Sequence, residues 1–277
     1  MAAGKDIKAV FFDIDGTLVS FRTHKVTPSN LEVLDALRKK GIKVFISTGR
    51  MLGMTSVLDG IAFDGYIANN GATCYDSSKK MIFGRPLPRK ELCSIRERLS
   101  LSSVPSDKAD SSDELRPFAV SFMAADNYYL NMKSEVADEI ARVVGVTPPI
   151  LCSIDEIVEM DIYQMCIYLR GKELEDVMKG WLTGCTASVW NPLFADVNEN
   201  GVTKAYGIDK MLDVFGLDLS QTLSFGDGGN DIPMLEHTAI SVCMGNADEA
   251  VRAASDFVTE TVDEDGVAKA LVRLGIL

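Results

Sequence analysis

The feature that most constrains the fold is an alternation of short apolar runs with stretches of helical spacing. "KAVFFD" (residues 8–13), "IKVFIST" (42–48) and "TLSFGD" (222–227) are apolar at successive positions and too short for helices. Such runs read as strands buried on both faces. After the first, "SNLEVLDALRKKG" (29–41) repeats Leu31, Leu34 and Leu37 at helical spacing and ends Lys39, Lys40, Gly41, a helix stop. "GYIANNGA" (65–72) is a further short strand running into an Asn-Gly turn. "VTKAYGIDKMLDVFG" (202–216) is helical, "AISVCMGNA" (239–247) is strand and turn, and "ADEAVRAAS" (247–255) is helical again. Strands alternating with helices predict an α/β chain, a Rossmann-like doubly wound parallel sheet with helices on both faces.

The middle of the chain breaks this rhythm. Residues 101–116, "LSSVPSDKADSSDELR", are polar and rich in Ser and Asp, which predicts an exposed loop. "PFAVSFM" (117–123), "IYQMCIYL" (162–169) and "TASVW" (186–190) read as strands, "KELEDVMKGWL" (172–182) as a helix, and "TPPI" (147–150) as a break. The expected organisation is a discontinuous core over 1–81 and 191–277, with an α+β domain inserted over 82–190. No internal repeat or low-complexity tract interrupts it.

Charge and cysteine usage narrow the partners. A formal net charge of -12 disfavours nonspecific binding to nucleic acid or to an anionic membrane. It leaves room for a small anionic substrate if a metal ion supplies local positive charge. The N-terminus lacks a long apolar core, and no run approaches the length of a membrane span. The six cysteines, at 74, 93, 152, 166, 185 and 243, form no C-x-x-C pair, and two histidines are too few to favour zinc. The expectation is a cytoplasmic protein with free thiols.

Four polar clusters remain to be explained: Asp13-Ile14-Asp15-Gly16-Thr17, Ser47-Thr48-Gly49-Arg50, Lys204 at a helix start, and Gly226-Asp227-Gly228-Gly229-Asn230-Asp231. Taken singly, each has a bland reading. Asp-Gly marks turns, Thr48 can bond its own turn, and a lysine at a helix start is usually solvated. Three of the clusters, however, directly follow an apolar strand. In open α/β sheets, ligands bind beyond the carboxyl ends of the strands. Parallel strands would therefore gather these groups in one crevice.

Several carboxylates in one crevice repel unless a cation neutralises them, and an all-oxygen set suits Mg²⁺. A lysine and a hydroxyl add donors for phosphoryl oxygens, and Gly-rich turns expose N–H groups to anions. A carboxylate can attack phosphorus to form an aspartyl phosphate. A second acid two residues on can protonate the leaving oxygen and later deprotonate water.

D-x-D-G-T, T-G-R, G-V-T-K and G-D-G-x-N-D occur here in that order, followed by "MGNA" (244–247) and "DEDGVAKAL" (263–271). The set resembles the haloacid dehalogenase-like phosphatases, and within them the Cof-type sugar-phosphate phosphatases of bacteria, whose large C2-type cap lies between the second and third motifs. The resemblance implies that Asp13 is nucleophile and Mg²⁺ ligand. It implies that Asp15 is the general acid/base, with its backbone carbonyl on the metal. Thr48 and Lys204 would hold phosphoryl oxygens, Asp227 would bind Mg²⁺, and Asp231 and Asn230 would complete the metal and phosphate surroundings. Asn70 and Gly71 match an Asn-Gly turn lining the entrance, although Asn70 also suits a plain turn.

Other residues are read as structural. Ser47 is the lesser candidate beside Thr48, and Arg50 is read as a salt-bridge partner outside the chemistry. His24 and His237 are read as surface or packing residues, Trp181 and Trp190 as cap packing, and Asp263-Glu264-Asp265 as a solvated helix start. Substrate choice is expected from cap loops around 116–132 and 160–168.

The expected function is Mg²⁺-dependent hydrolysis of small phosphomonoesters, hexose or pentose phosphates foremost, by a monomer whose cap closes over the substrate. Two alternatives stay open. A phosphomutase or phosphotransferase would pass the same aspartyl phosphate to a sugar. A phospho-acceptor or metabolite sensor would hold it without turnover.

Overall fold

The computed structural model describes residues 6–101, 117–191 and 193–277. The chain forms two units, 1–84 with 202–277, and 85–201. Along the first run lie β1 (Ala9–Phe12), α1 (Pro28–Lys39), β2 (Lys43–Ser47), β3 (Gly65–Ala68), β4 (Thr73–Asp76) and β5 (Met81–Gly84). The inserted unit carries α2 (Arg89–Leu101), β6 (Val120–Met123), β7 (Tyr128–Leu130), α3 (Glu135–Val144), β8 (Ile150–Leu151) and α4 (Ile154–Ile157). It continues through β9 (Gln164–Ile167), α5 (Gly171–Trp181), β10 (Cys185–Asn191) and β11 (Phe194–Glu199). The chain then returns to the first unit with α6 (Lys204–Phe215), β12 (Thr222–Gly226), α7 (Ile232–His237), β13 (Ile240–Cys243), α8 (Glu249–Ala253), β14 (Phe257–Val258) and α9 (Gly266–Arg273).

The first unit is built on one sheet in the order β14-β13-β12-β1-β2-β3-β4-β5. The strands from β14 to β3 pair in parallel, and β4 and β5 add an antiparallel edge. This is the expected doubly wound α/β core. All four residues of β1 are fully buried because both of its faces are covered. Val10 and Phe12 pack with Val33, Leu34 and Leu37 of α1 and Val267 and Leu271 of α9. Ala9 and Phe11 pack with Ile208, Met211 and Leu212 of α6. Phe12 stacks on Phe225 and Phe11 on Phe45, at centroid distances of 5.2 and 5.0 Å. Each fully buried Phe contributes roughly 1.5–3 kcal/mol of hydrophobic stabilisation. The sheet that carries the polar clusters is therefore a rigid base.

Helix α1 starts where the sequence says it should. Thr27 accepts the Asn30 N–H as the N-cap, and Pro28 opens the first turn. Its buried face is Asn30, Val33, Leu34 and Leu37, whereas Leu31 is 43% exposed. Steps of three residues drift backwards by about 60° each, so Leu31 and Leu37 stand about 120° apart and cannot share one stripe. The buried Asn30 amide donates to the carbonyls of Thr17 and Leu18 at 3.1 and 3.0 Å. That ties α1 to the loop following β1.

The inserted unit has its own sheet, ordered β10-β11-β9-β6-β7-β8. Its boundaries are 85 and 201 rather than the expected 82 and 190. Residues 82–84 complete β5 of the first sheet, and β11 lies between β10 and β9 with antiparallel pairing to both. An end at 190 would cut that β10–β11 hairpin. Val120, Phe122, Met165, Ile167, Ala195 and Val197 face one core with Leu92 and Ile95 of α2 and Leu174 and Val177 of α5. By strand alternation the opposite face carries Ser121, Gln164, Cys166, Asp196 and Asn198, all buried. The stretches expected as specificity loops, 116–132 and 160–168, contain β6, β7 and β9. The exposed loop expected over 101–116 lies outside the described residues from 102 onward, as does the Trp190 side chain.

Candidate active site

The first unit brings the strand-end clusters together. Asp13 directly follows β1, Ser47 ends β2, and Asp227 directly follows β12. Pairing of Phe12 with Ile46 on one side and Phe225 on the other sets these ends level. The carboxylates of Asp13, Asp227 and Asp231 each offer an oxygen within 4.8 Å of the others. Lys204 is the first residue of α6, with Thr203 as its N-cap. Its ammonium donates to Asp13 Oδ1 and Asp231 Oδ1 at 2.6 Å each. Neither Lys204 nor Asp231 has exposed side-chain surface.

Asp231 is engaged on both oxygens in a way the sequence does not disclose. Its second oxygen accepts the backbone N–H groups of Asp227 and Gly228, both at 2.9 Å. It thereby fastens the Gly-rich turn as well as Lys204. Asp227 takes one donor on each oxygen, Thr17 Oγ1 at 3.2 Å and Asn246 Nδ2 at 2.6 Å. Gly16 is required beside it, because a Cβ there would lie 2.1 Å from Asp227 Oδ2.

The second layer of the site is a chain of amides. Thr48, almost fully buried, accepts the Arg50 N–H on its hydroxyl at 3.1 Å, and its carbonyl accepts the Asn70 N–H at 3.1 Å. The hydroxyl thus does bond its own turn, and its proton is still available to donate. Ser47 Oγ is buried with no hydrogen-bond partner among the described residues. Asn70 Oδ1 accepts from Asn230 Nδ2 at 3.0 Å, linking the end of β3 to the Gly-rich turn. Asn69, Asn70 and Gly71 all have left-handed backbone, with φ of 50°, 52° and 98°. Two non-glycine residues in succession there are held against their local preference. Gly71 lies against the Thr203 carbonyl so closely that a Cβ would sit 1.9 Å from its oxygen.

Asp15 is met by Arg50, the residue read from sequence as standing outside the chemistry. Arg50 is indeed a salt-bridge partner, and its partner is Asp15, gripped by two parallel bonds of 2.8 and 2.7 Å. Thr17 and Asn246 are likewise missing from the sequence-based candidates, although both lie inside quoted motifs. Their signal was the motif itself, D-x-D-G-T and M-G-N-A, with no indication of which carboxylate they serve. His237 pairs with Asp209 at 2.6 Å away from this cluster. Asp263 accepts from Ser20 and Arg22 in the loop after Asp15.

The electrostatics of the cluster are lopsided. Burial raises Asp13 to about 7, with Lys204 pulling it down and Asp231 and Asp15 pushing it up. Burial and the charges of Asp13 and Asp231 raise Asp227 to about 9, against the Thr17 bond and Lys204. Burial works against the Lys204 charge, but Asp13 and Asp231 more than offset it, so the lysine stays charged above its ordinary range. One buried cation faces two buried carboxylates, Asp13 and Asp231, and the half-buried Asp227. A second cation would let Asp227 ionise, and the donor set is all oxygen, as a hard divalent ion requires. Asp13 and Asp227 are the residues best placed to hold it, with Asp231 beside them and already bonded on both oxygens.

Comparison with known proteins gives concordant results. The family profile of haloacid dehalogenase-like hydrolases matches residues 10–271. The solved structure of the HAD subclass IIB sugar phosphatase BT4131 is 36% identical, with a TM-score of 0.85 over 98% of this chain and 100% of that one. BT1666 of Bacteroides thetaiotaomicron, a phosphatase of the same superfamily, is 34% identical, with a TM-score of 0.86 over 100% of this chain and 98% of that one. The 5-amino-6-(5-phospho-D-ribitylamino)uracil phosphatase YcsE of Bacillus subtilis (strain 168) is 26% identical over 96% of this chain and 95% of its own.

Proposed function

The chain belongs to the haloacid dehalogenase-like hydrolases, as a phosphatase of that family, and we propose that it hydrolyses small sugar phosphates, hexose or pentose phosphates foremost, with Mg²⁺. The observation that carries the reading is the buried Lys204 ammonium bonded to both Asp13 and Asp231 beside Asp227. A surface cluster of acids has no reason to bury a lysine, since a buried ion pair costs desolvation on both partners. The sugar-phosphate substrate is supported by the 36% identity to a sugar phosphatase, and a small phosphorylated metabolite more broadly by YcsE, a phosphatase of 5-amino-6-(5-phospho-D-ribitylamino)uracil. All six cysteines are free thiols, which fits a cytoplasmic setting. A monomeric enzyme suffices for this chemistry, because one chain supplies every group the reading uses.

In the proposed mechanism, Asp13 attacks phosphorus with one carboxylate oxygen while the bond to the leaving oxygen breaks. Asp15 donates its proton to that oxygen, which departs as an alcohol. Asp15, now ionised, takes a proton from water, and the water oxygen attacks the aspartyl phosphate. The phosphate leaves, and Asp13 returns as a carboxylate. Lys204 keeps Asp13 oriented and offsets its charge, and Thr48 offers its hydroxyl proton to a phosphoryl oxygen. Asn70 and Asn230 hold the flanking turns in register. A bound Mg²⁺ would supply charge neutralisation for the phosphoryl group, held by Asp13, the Asp15 carbonyl and Asp227, with Asp231 in support.

The test is phosphate release from a panel of sugar phosphates and p-nitrophenyl phosphate, with Mg²⁺ and with EDTA. Asp13→Asn is the control. Mg²⁺-dependent release that the variant lacks is the expected result. Phosphosugar isomers in place of free phosphate would make it a mutase. A phosphorylated Asp13 that persists for hours would make it a phospho-acceptor.

A further inference from the structure

The proposed chemistry asks Asp15 to deliver a proton to one oxygen and later collect one from another. A carboxylate that rotates freely has no fixed line to either. We infer that Arg50 is the positioning residue for Asp15, an inference that rests on the phosphatase reading. Arg50 Nε donates to Oδ2 at 2.8 Å and Nη2 to Oδ1 at 2.7 Å. Two parallel bonds fix the plane of the carboxylate as well as its distance. Each oxygen keeps a further lone pair on which a proton can be carried.

The fork is itself fixed. Nη1 donates to the Met54 carbonyl at 2.8 Å, the Arg50 N–H donates to Thr48 Oγ1 at 3.1 Å, and the Arg50 carbonyl accepts the Asn69 N–H at 2.9 Å. The Arg50 side chain is 14% exposed and that of Asp15 25%. This is unlike the solvated pairs on the surface of the protein, whose long side chains gain little from meeting. No other side chain among the described residues bonds the Asp15 carboxylate. Lysine could not replace the fork, because its ammonium is a point charge on a flexible stem. The same turn therefore presents Thr48 to the phosphoryl group and, two residues on, aims the acid at the leaving group.

The test compares two esters that differ in their need for a proton. p-Nitrophenyl phosphate expels a stable phenolate unaided, whereas phenyl phosphate expels a much more basic one. kcat/KM reports only the steps up to departure of the leaving group. In Arg50→Ala and Arg50→Lys, kcat/KM for phenyl phosphate is expected to fall by ~10²-fold, the lower end of what general acid catalysis contributes. For p-nitrophenyl phosphate it is expected to fall by no more than about threefold, since that step draws little on the acid. Guanidinium added to Arg50→Ala should restore phenyl phosphate turnover in preference. Equal losses on both esters, or no loss on either, would overturn the inference while leaving the phosphatase reading intact. A wild-type protein inert toward both esters and toward the sugar phosphates of the panel would remove both. If Arg50→Ala shows no cooperative thermal transition, Arg50→Lys alone decides, since it keeps the charge and loses only the fork.

Discussion

Lys204 Nζ lies 2.6 Å from Asp13 Oδ1 with no exposed surface of its own, and the same nitrogen reaches Asp231 at 2.6 Å. Attraction at this distance, away from water, is what holds the two carboxylates together. Lys204→Met keeps the length of the side chain and removes the charge. Breaking a buried ion pair from one side costs on the order of 3–5 kcal/mol, less whatever the stranded carboxylates recover by taking up protons. Urea unfolding should record the loss of stability. Phosphate release should fall by at least ~10²-fold, the scale of a lost electrostatic stabiliser. Stability and turnover close to wild type would mean that Lys204 fills neither role.

The acid cluster also sets a direction for stability against pH. Asp13 and Asp227 are raised from 3.8 to about 7 and about 9, so without metal the folded protein holds protons there that the unfolded chain has released. Their contribution is complete below the unfolded value and is lost as pH rises through 7 and then 9. Lys204 is also raised, and its contribution stays complete until pH passes its ordinary value, so it does not cancel the trend in this window. In EDTA the midpoint of thermal unfolding should therefore fall between pH 5 and pH 9. Mg²⁺ binds the deprotonated form and should recover stability most at the alkaline end. Saturation at 100 times the dissociation constant contributes about 2.7 kcal/mol. A midpoint that rises with pH in EDTA would contradict the burial argument.

Which parts of this were legible in the sequence follows from how each contact is made. Asp13, Thr48 and Asp227 could be placed together because each follows an apolar strand, and parallel pairing levels strand ends. The β10–β11 hairpin is not legible, because an inserted domain ending at residue 190 stops inside β10 and before β11. Arg50 and Asp15 are separated by 35 residues, and Thr17 and Asp227 by 210. No periodicity links such positions, and the choice of partner depends on side-chain directions that only packing decides. Leu31 failed for a local reason, helix geometry, that three-residue spacing conceals.

Thr17 and Asn246 make a prediction about the metal that does not depend on catalysis. Each donates to one oxygen of Asp227, which leaves the remaining lone pairs aimed in fixed directions. Partners of this kind commonly account for 10–100-fold in metal affinity, so about that loss is expected in Thr17→Val and in Asn246→Ala. Calorimetric titration of Mg²⁺ into the resting protein reads it directly. Unchanged affinity in both variants would show that Asp227 needs no orientation from either donor.

Gly71 and Gly60 provide a matched pair for the approach of β3 to α6. Both have left-handed backbone, with φ of 98° and 85°, so alanine strains each of them by about 1–2 kcal/mol. At Gly60 nothing lies within 4 Å of the added Cβ, whereas at Gly71 the Thr203 carbonyl oxygen is 1.9 Å away. Thr203 caps α6 and precedes Lys204, so relief of the clash pushes the Asn-Gly turn and the helix start that carries the lysine apart. Gly60→Ala should lose only the backbone strain in urea unfolding and keep its phosphate release. Gly71→Ala should lose more stability than Gly60→Ala and most of its turnover as well. Equal losses in the two variants would show that the site tolerates displacement of the α6 N-terminus. The placement of Lys204 would then owe little to the Asn-Gly turn.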